Sequence, residues 1–313
     1  MSEPSAAPAR AAGVCAVVVT YHPDATLLAA QLDALQAQAD RIVVVDNATP
    51  GDSVRALCAP HPQVELLSLT ENLGLAAALN AGITRARETP GMTHVLLMDQ
   101  DSVPEPGMVA ALKAALDRQS QRTRVAAVGT RFLDPREGVD APFVRIRFPV
   151  NLQLRCSGEC DEIPCDFLIT SGSLIPLDVL DQVGGMDEAL FIDNVDLEWC
   201  FRATSKGYAL FGVCGARMLH HHGAARHRLP GVPRGVVVHT PRRLFYMMRN
   251  RVLLYRRAYT PRRWIAQDVP RLVVKFLLFA LLIAPRRENV RGMLAGLRAG
   301  VAGRTAPPPP DIG

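Results

Sequence analysis

No two cysteines in this chain stand in a Cys-x-x-Cys pair. The seven present, Cys15, Cys58, Cys156, Cys160, Cys165, Cys200 and Cys214, are scattered, and even the cluster of Cys156, Cys160 and Cys165 lacks the close pairs of a structural zinc site. Two common nucleotide cradles are also missing. There is neither the glycine fingerprint of a dinucleotide fold nor a phosphate-binding loop with its lysine. No uninterrupted apolar run approaches the roughly 20 residues needed to span a bilayer. The start is rich in alanine and proline without the apolar core of a secretory signal, so residues 1–12 are expected to be a disordered segment. The expected compartment is the cytoplasm, with reduced thiols.

What is present reads as a folded chain. Of 313 residues, 49% are hydrophobic, enough for one large α/β domain or two smaller ones. The net charge of +5 hides a division: residues 226–304 carry eighteen Lys or Arg against two acids, Asp268 and Glu288, so the remainder is net acidic. Such a basic segment meets anions, either nucleic acid or the anionic face of a membrane. Its apolar stretches, Leu272-Val273-Val274 and the run from Phe276 to Ile283, interrupted by Lys275 and flanked by Arg271, Arg286 and Arg287, favour a helix lying on a membrane. A helix buried in the chain itself, or a contact with a protein partner including a second copy, is the competing reading.

Apolar, β-branched runs at residues 14–19 and 41–45 predict strands buried on both faces, and each ends in polar residues: Thr20-Tyr21-His22-Pro23 after the first, Asp46-Asn47 after the second. A carboxylate at such an end, Asp46 here, can accept the imide N–H of a uracil or thymine ring, although an ordinary strand-to-helix turn capped by Asn47 or Thr49 also accounts for these residues. Further strands are expected at 64–69, 94–99, 125–129 and 207–213, and a polar-kinked one at 165–176. Helices are expected after Asp24, from 75 to 83, from 106 to 116 and from 195 to 206. Alternation through residue 130 predicts a parallel sheet with right-handed crossovers, and 131–162 reads as an irregular connection or flap.

The strand ending Leu97-Met98-Asp99-Gln100-Asp101-Ser102 delivers two carboxylates one residue apart to the open end of the sheet, where α/β folds keep their ligands. Side chains at i and i+2 leave on one side and can converge on a hard cation. An ordinary solvated loop would also account for a lone Asp-x-Asp. Asn72 and Gly74 precede the small-residue helix containing Asn80, whose amino end offers N–H groups to an anion. Gly172 between Ser171 and Ser173 permits a close backbone approach, to a sugar or merely at a bulge. Asp193 and Asp196 lie at the amino end of the 195–206 helix, where one of them serves as a cap in the plainest reading. Three histidines, His220, His221 and His222, stand beside Gly223, a pattern that suggests at least one metal ligand, a solvated loop being the plainer reading.

Together these stretches resemble inverting family-2 glycosyltransferases of the GT-A fold, and among them rhamnosyltransferases. The resemblance rests on Val18-Val19-Thr20-Tyr21, Val45-Asp46-Asn47, Asn72-Leu73-Gly74 with Asn80-Ala81-Gly82, the Asp-Gln-Asp-Ser stretch, Ser171-Gly172-Ser173, Phe191-Ile192-Asp193 with Val195-Asp196-Leu197-Glu198-Trp199, and His220 three residues before Gly223; Arg249-Asn250-Arg251 fits the same group. It implies a Rossmann-like, mainly parallel central sheet flanked by helices, with a basic, partly apolar helical extension. The expected divisions are a glycosyltransferase domain over 13–230, a membrane-associating region over 231–304 and a proline-rich tail over 305–313.

It further implies a nucleotide-sugar donor, foremost dTDP-L-rhamnose, held by Thr20, Tyr21, Asp46, Asn47, Asn72, Gly74, Asn80, Asp99 and Gln100. Asp101 and His220 would hold Mg²⁺ or Mn²⁺ against the diphosphate. Gly172, Ser173, Glu198 and Trp199 would meet a glycan acceptor, lipid-linked at the inner face of the membrane. Where the commoner family pattern has Glu-Asp this chain has Asp193-Asn194, and Asn is no base. The role is expected to fall to Asp193, with Asp196 in reserve. The contrasting reading is a non-catalytic scaffold of the same fold, recruiting lipid or nucleic acid through its basic region; the enzyme reading involves no nucleic acid.

Overall fold

The computed structural model describes residues 13–135, 138, 140–157, 162–221, 226–229, 232–310 and 312. The N-terminal segment 1–12, His222, Gly223 and Cys160 therefore lie outside the described residues. The first half alternates as the sequence predicts. Strand β1 (Gly13–Thr20) leads to helix α1 (Ala25–Gln36), β2 (Arg41–Asp46), α2 (Ser53–Cys58), β3 (Val64–Ser68), α3 (Leu75–Glu88) and β4 (Met92–Asp99). Asp24 caps α1, its carboxylate accepting from the N–H groups of Thr26 and Leu27. A short β5 (Ser102–Pro104), α4 (Met108–Ser120) and β6 (Val125–Leu133) follow. The fully apolar strands are buried on both faces because helices cover both sides, with Val17, Val45 and Leu97 toward α3 and Val18, Val44 and Met98 toward α1 and α4.

The next stretch departs from a purely parallel sheet. The connection read as irregular contains a hairpin, β7 (Phe143–Arg145) with β8 (Leu152–Leu154). The kinked strand expected over 165–176 is two strands, β9 (Glu162–Cys165) and β10 (Ser173–Pro176). β10 inserts antiparallel between β4 and β6, so these are not neighbours, and the sheet runs β3-β2-β1-β4-β10-β6. Helix α5 (Leu177–Val183) and α6 (Val195–Ser205) precede a strand longer than expected, β11 (Ala209–His220). β11 runs parallel to β6, carries β9 antiparallel, and pairs antiparallel with β5 at its far end. Cys214 of β11 is disulfide-bonded to Cys156, which corrects the expectation of reduced thiols throughout; Cys15, Cys58, Cys165 and Cys200 are buried and free.

The extension begins with the hairpin β12 (Arg226–Leu229) and β13 (Val232–Val237), which straddles the domain boundary expected at 230/231. Three helices follow: α7 (Pro241–Tyr255), α8 (Arg262–Leu281) and α9 (Arg286–Val301). They share a core of Leu244, Met248, Phe279, Ile283 and Met293. Among the described residues no helix is long and apolar enough to cross a membrane. The proline-rich tail is attached to α7: Arg249 donates to the carbonyls of Thr305 and Ala306, and Ile312 is buried with Phe245 and Tyr246.

Candidate active site

The polar residues that end β1, β2 and β4 surround one cleft of about 630 Å³ at the C-terminal edge of the parallel strands. On its nucleotide side, Thr20 Oγ1 donates to Asp46 Oδ1 (3.2 Å), both buried just beneath the surface. Asn47 lines the cleft, donating to Asn72 Oδ1 (2.9 Å) and accepting from the Leu73 N–H (2.9 Å), while Asn72 accepts the Gly74 N–H (3.0 Å). Gln100 also lines the cleft, and its amide accepts from Tyr21 N–H (2.7 Å) and donates to Tyr21 C=O (3.2 Å), so it joins the ends of β1 and β4. Gly74 has a φ of +87°, and a Cβ there would lie 2.5 Å from the Phe191 ring. The glycine is needed for this close approach.

Strand pairing explains how residues 119 positions apart meet. The antiparallel register of β11 on β5 sets His220 opposite Ser102, immediately after Asp101. His220 Nδ1 lies 3.5 Å from Asp101 Oδ1 and 2.5 Å from Ser102 Oγ, which in turn accepts from Ser171 Oγ at 2.7 Å. One ligand atom from each of Asp99, Asp101 and His220 lies within 4.8 Å of the others. Burial, and then the nearby Asp101 and Asp196, push the Asp99 carboxyl up to about 7. Two hard oxygens donors repelling one another beside an imidazole suit a divalent cation, whose charge would relieve that repulsion.

Across the cleft, residues 191–194 form a tight turn with Phe191, Asp193 and Asn194 at φ of +65°, +63° and +65°. Such non-glycine conformations persist only where surroundings impose them. Here the extension does so. Asn250 Nδ2 reaches the carbonyls of Leu190, Ile192 and Asp193 at 2.7–2.9 Å, and the fully buried Arg249 donates to those of Ala189 and Leu190. Phe191 stacks on Tyr246, ring centroids 4.7 Å apart. Asp193 and Asp196 both line the cleft. Asp193 receives Nε and Nη2 of Arg243 at 3.1 and 3.0 Å. Asp196 accepts the Leu197 N–H through Oδ1 (2.7 Å), and burial raises its carboxyl to about 6.

Seven of the expected ligand-contacting residues do not line this cleft: Thr20 and Asp46, buried and bonded to each other, and the five that follow. Asn80 ties α3 to the loop before the turn, bonding Met186 N–H and C=O and Glu188. At Gly172, φ +79°, the close approach is to the Thr130 side chain, where a Cβ would sit 2.1 Å from Oγ1, and Ser173 Oγ donates to Ile169 C=O. Glu198 is buried in an ion pair with Arg202 and accepts from the Tyr259 hydroxyl; Trp199 is buried, its indole N–H on Gly184 C=O. Each of these five is packed or bonded within the protein, Asn80 where a donor contact was expected and the other four where an acceptor contact was expected. Conversely, His239 and Arg243, which the sequence did not single out, line the cleft. The only signal for them is position, His239-Thr240-Pro241 being a cap and first turn of a helix in the basic segment.

Residues 15–174 match the family model described as Glycosyl transferase family 2. The chain is 28% identical over 281 residues to a dTDP-rhamnosyl transferase, RfbF, of Shigella flexneri, covering 90% of this chain and 91% of that protein. It is 28% identical over 242 residues to an N-acetylglucosaminyl-diphospho-decaprenol L-rhamnosyltransferase of Mycobacterium tuberculosis, covering 68% of this chain and 78% of that one. Among solved structures, TarS 1–349 of S. aureus in complex with UDP-GlcNAc superposes with a TM-score of 0.57 at 12% identity, covering 92% of this chain and 81% of that chain. That likeness shows a shared fold, the GT-A arrangement of a mainly parallel sheet flanked by helices.

Proposed function

The chain belongs to glycosyl transferase family 2, and we propose that it transfers L-rhamnose from dTDP-L-rhamnose, with inversion, to a hydroxyl of a lipid-linked glycan during cell-surface polysaccharide synthesis. It is a glycosyltransferase. The observation that carries the reading is one cleft lined by the cluster of Asp99, Asp101 and His220 together with Asp193 and Asp196. Inverting transfer needs both sets: ligands that steady the leaving diphosphate and a base that faces the departing bond from the other side of the sugar.

In this reading Asp101 and His220, with Asp99, hold Mg²⁺ or Mn²⁺. When bound, the cation offsets the negative charge that grows on the diphosphate. Ser102 fixes the His220 ring, and Thr20, Asp46, Asn47 and Asn72 hold the nucleoside end. Asp196 is the better candidate for the base, since a carboxyl raised to about 6 is more basic than an ordinary one yet ionised at neutral pH. Asp193, both oxygens on Arg243, shapes the turn that presents Asp196. A non-catalytic scaffold has no support of comparable weight, since the acids and imidazole of the cleft are all present. The proposed place of action is the cytoplasmic face of the cell membrane.

The test is a panel of dTDP-, UDP- and GDP-sugars assayed for metal-dependent thermal stabilisation and for turnover. dTDP-L-rhamnose with Mg²⁺ or Mn²⁺ should give the largest shift, and Asp101→Ala should abolish donor hydrolysis and transfer without unfolding the chain. A fully active Asp101→Ala protein, or donor binding indifferent to metal, would remove the assignment.

A further inference from the structure

Apart from Arg262, Arg263 and Arg271, the residues of α8 that face solvent are the wrong kind for a helix bathed in water. Ala266, Val269, Pro270, Val273, Val274, Leu277 and Leu281 recur at intervals of three and four, and all are exposed. Val273 is 54% exposed, Val274 64%, Leu277 50% and Leu281 62%. From Val269 to Leu281 the stripe runs about 18 Å along the helix at 1.5 Å per residue. A soluble helix places charge on this face and apolar residues inward. Here both faces are apolar: Leu272, Phe279 and, just beyond the helix, Ile283 pack against α7 and α9.

The structure divides the apolar stretches that stand out in the sequence: Val273, Val274, Leu277 and Leu281 face outward, while Phe276 and Leu278 are partly buried and packed with the helical core. Charge around the stripe is one-sided. Between residues 262 and 291 the exposed ionisable residues are Arg262, Arg263, Arg271, Arg286, Arg287 and Arg291, against Glu288 alone. The other acid of this stretch, Asp268, is buried and engaged by Arg251 and Tyr255.

We propose that this outer face of α8 docks on the surface of an anionic lipid bilayer, with Val269, Val273, Leu277 and Leu281 entering the headgroup boundary and the flanking arginines meeting lipid phosphates. Apolar burial and basic charge are the two weak signals that together give stable but reversible attachment. A second copy of this chain is a poorer occupant, because two such faces would bring the arginines of one against those of the other. The inference deepens the proposed reading and rests on it in one respect, that a lipid-linked acceptor gives the surface its use. The same helix connects to the cleft: His239, which lines it, stacks on Phe279 of α8 with ring centroids 6.2 Å apart. Docking would therefore hold the cleft beside the bilayer.

The experiment is co-sedimentation of the full chain with vesicles of phosphatidylglycerol and phosphatidylcholine in equal parts, against vesicles of phosphatidylcholine alone. Binding should require the anionic lipid and weaken with salt. Val273→Glu/Leu277→Glu should abolish it, and Arg286→Ala/Arg287→Ala should weaken it by about fivefold per arginine removed. All substituted side chains are exposed, and unchanged melting temperature and nucleotide-sugar binding would verify folding. No vesicle binding by the unaltered chain, undiminished binding by the glutamate variant, or a dimer in sedimentation that the glutamate variant dissociates would each overturn the proposal. Donor binding retained in those cases separates failure of the surface from failure of the enzymatic reading.

Discussion

Asp196→Asn separates the base from every other role this residue could hold, because it keeps the shape and the Oδ1 that accepts the Leu197 N–H. Burial is the main cause that lifts the carboxyl from 3.8 to about 6, and the neighbouring Asp193 adds to it. A rise of roughly two units corresponds to about 3 kcal/mol of differential stability, and water in the cleft brings it nearer 2. The sign follows from proton binding. The folded chain holds this proton more tightly than the unfolded chain, so the native state gives up stability as pH rises from the unfolded value near 4 to about 6 and carries the whole cost above that. Asn carries none. The variant should therefore match the parent below about pH 4 and exceed it by about 2–3 kcal/mol at neutral pH, read by urea denaturation across pH. Transfer should move oppositely: kcat should fall about 10²- to 10⁴-fold, and the parent's kcat/KM should decline below about pH 6 as the base becomes protonated. A variant that keeps a large part of its activity, or whose stability advantage is the same at both ends of that range, refutes the assignment.

Three other substitutions test the rest of the site. Replacing His220 by Ala should weaken Mn²⁺-dependent donor binding by about 10- to 100-fold in calorimetric titration, with the circular dichroism spectrum unchanged. Arg249→Met should cost at least about 3 kcal/mol in urea denaturation, because it leaves the carbonyls of Ala189, Leu190, Thr305 and Ala306 without their charged donor; activity should fall with it, since two of those carbonyls lie just before the turn bearing Asp193. Gly74→Ala should lose about 2–4 kcal/mol or fail to fold, its Cβ meeting the Phe191 ring in a backbone conformation open almost only to glycine. Thermal melts of the two proteins side by side decide it.

The half of the fold built from strands buried on both faces was legible, because each such strand announces itself as an unbroken apolar run and ends in polar residues where ligands sit. The insertion of β10 was not. A four-residue strand after a glycine turn has no periodicity of its own, and its place between β4 and β6 depends on long-range pairing. Asp101 and His220 could be expected to meet only through the family resemblance; the physical cause, β11 continuing to pair with β5, lies in a strand that ends seven residues beyond its apolar core. Asn80, Glu198 and Trp199 show the converse limit. A motif residue can recur because it ties loops and helices together, and spacing alone does not distinguish that from contact with a sugar.

The extension cannot be treated as an anchor appended to a finished enzyme. Three residues of the turn at 191–194 hold left-handed backbone conformations that together cost several kcal/mol at roughly 1–3 each. The N–H groups of Leu75 and Ala76 donate to the Phe191 carbonyl, and α7 adds Asn250 on the carbonyls of Ile192 and Asp193 and on that of Leu190 just before the turn, Tyr246 on the face of Phe191 and Arg243 on Asp193. The position of Asp193 in the cleft is thus set in part by α7, and Asp196 follows it at the start of α6. α7 in turn is packed through Met248 and Leu244 against the inner face of α8. The chain of contact from the outer stripe of α8 to Asp196 runs through only these two helices and the turn, so a force that orients α8 orients the base as well.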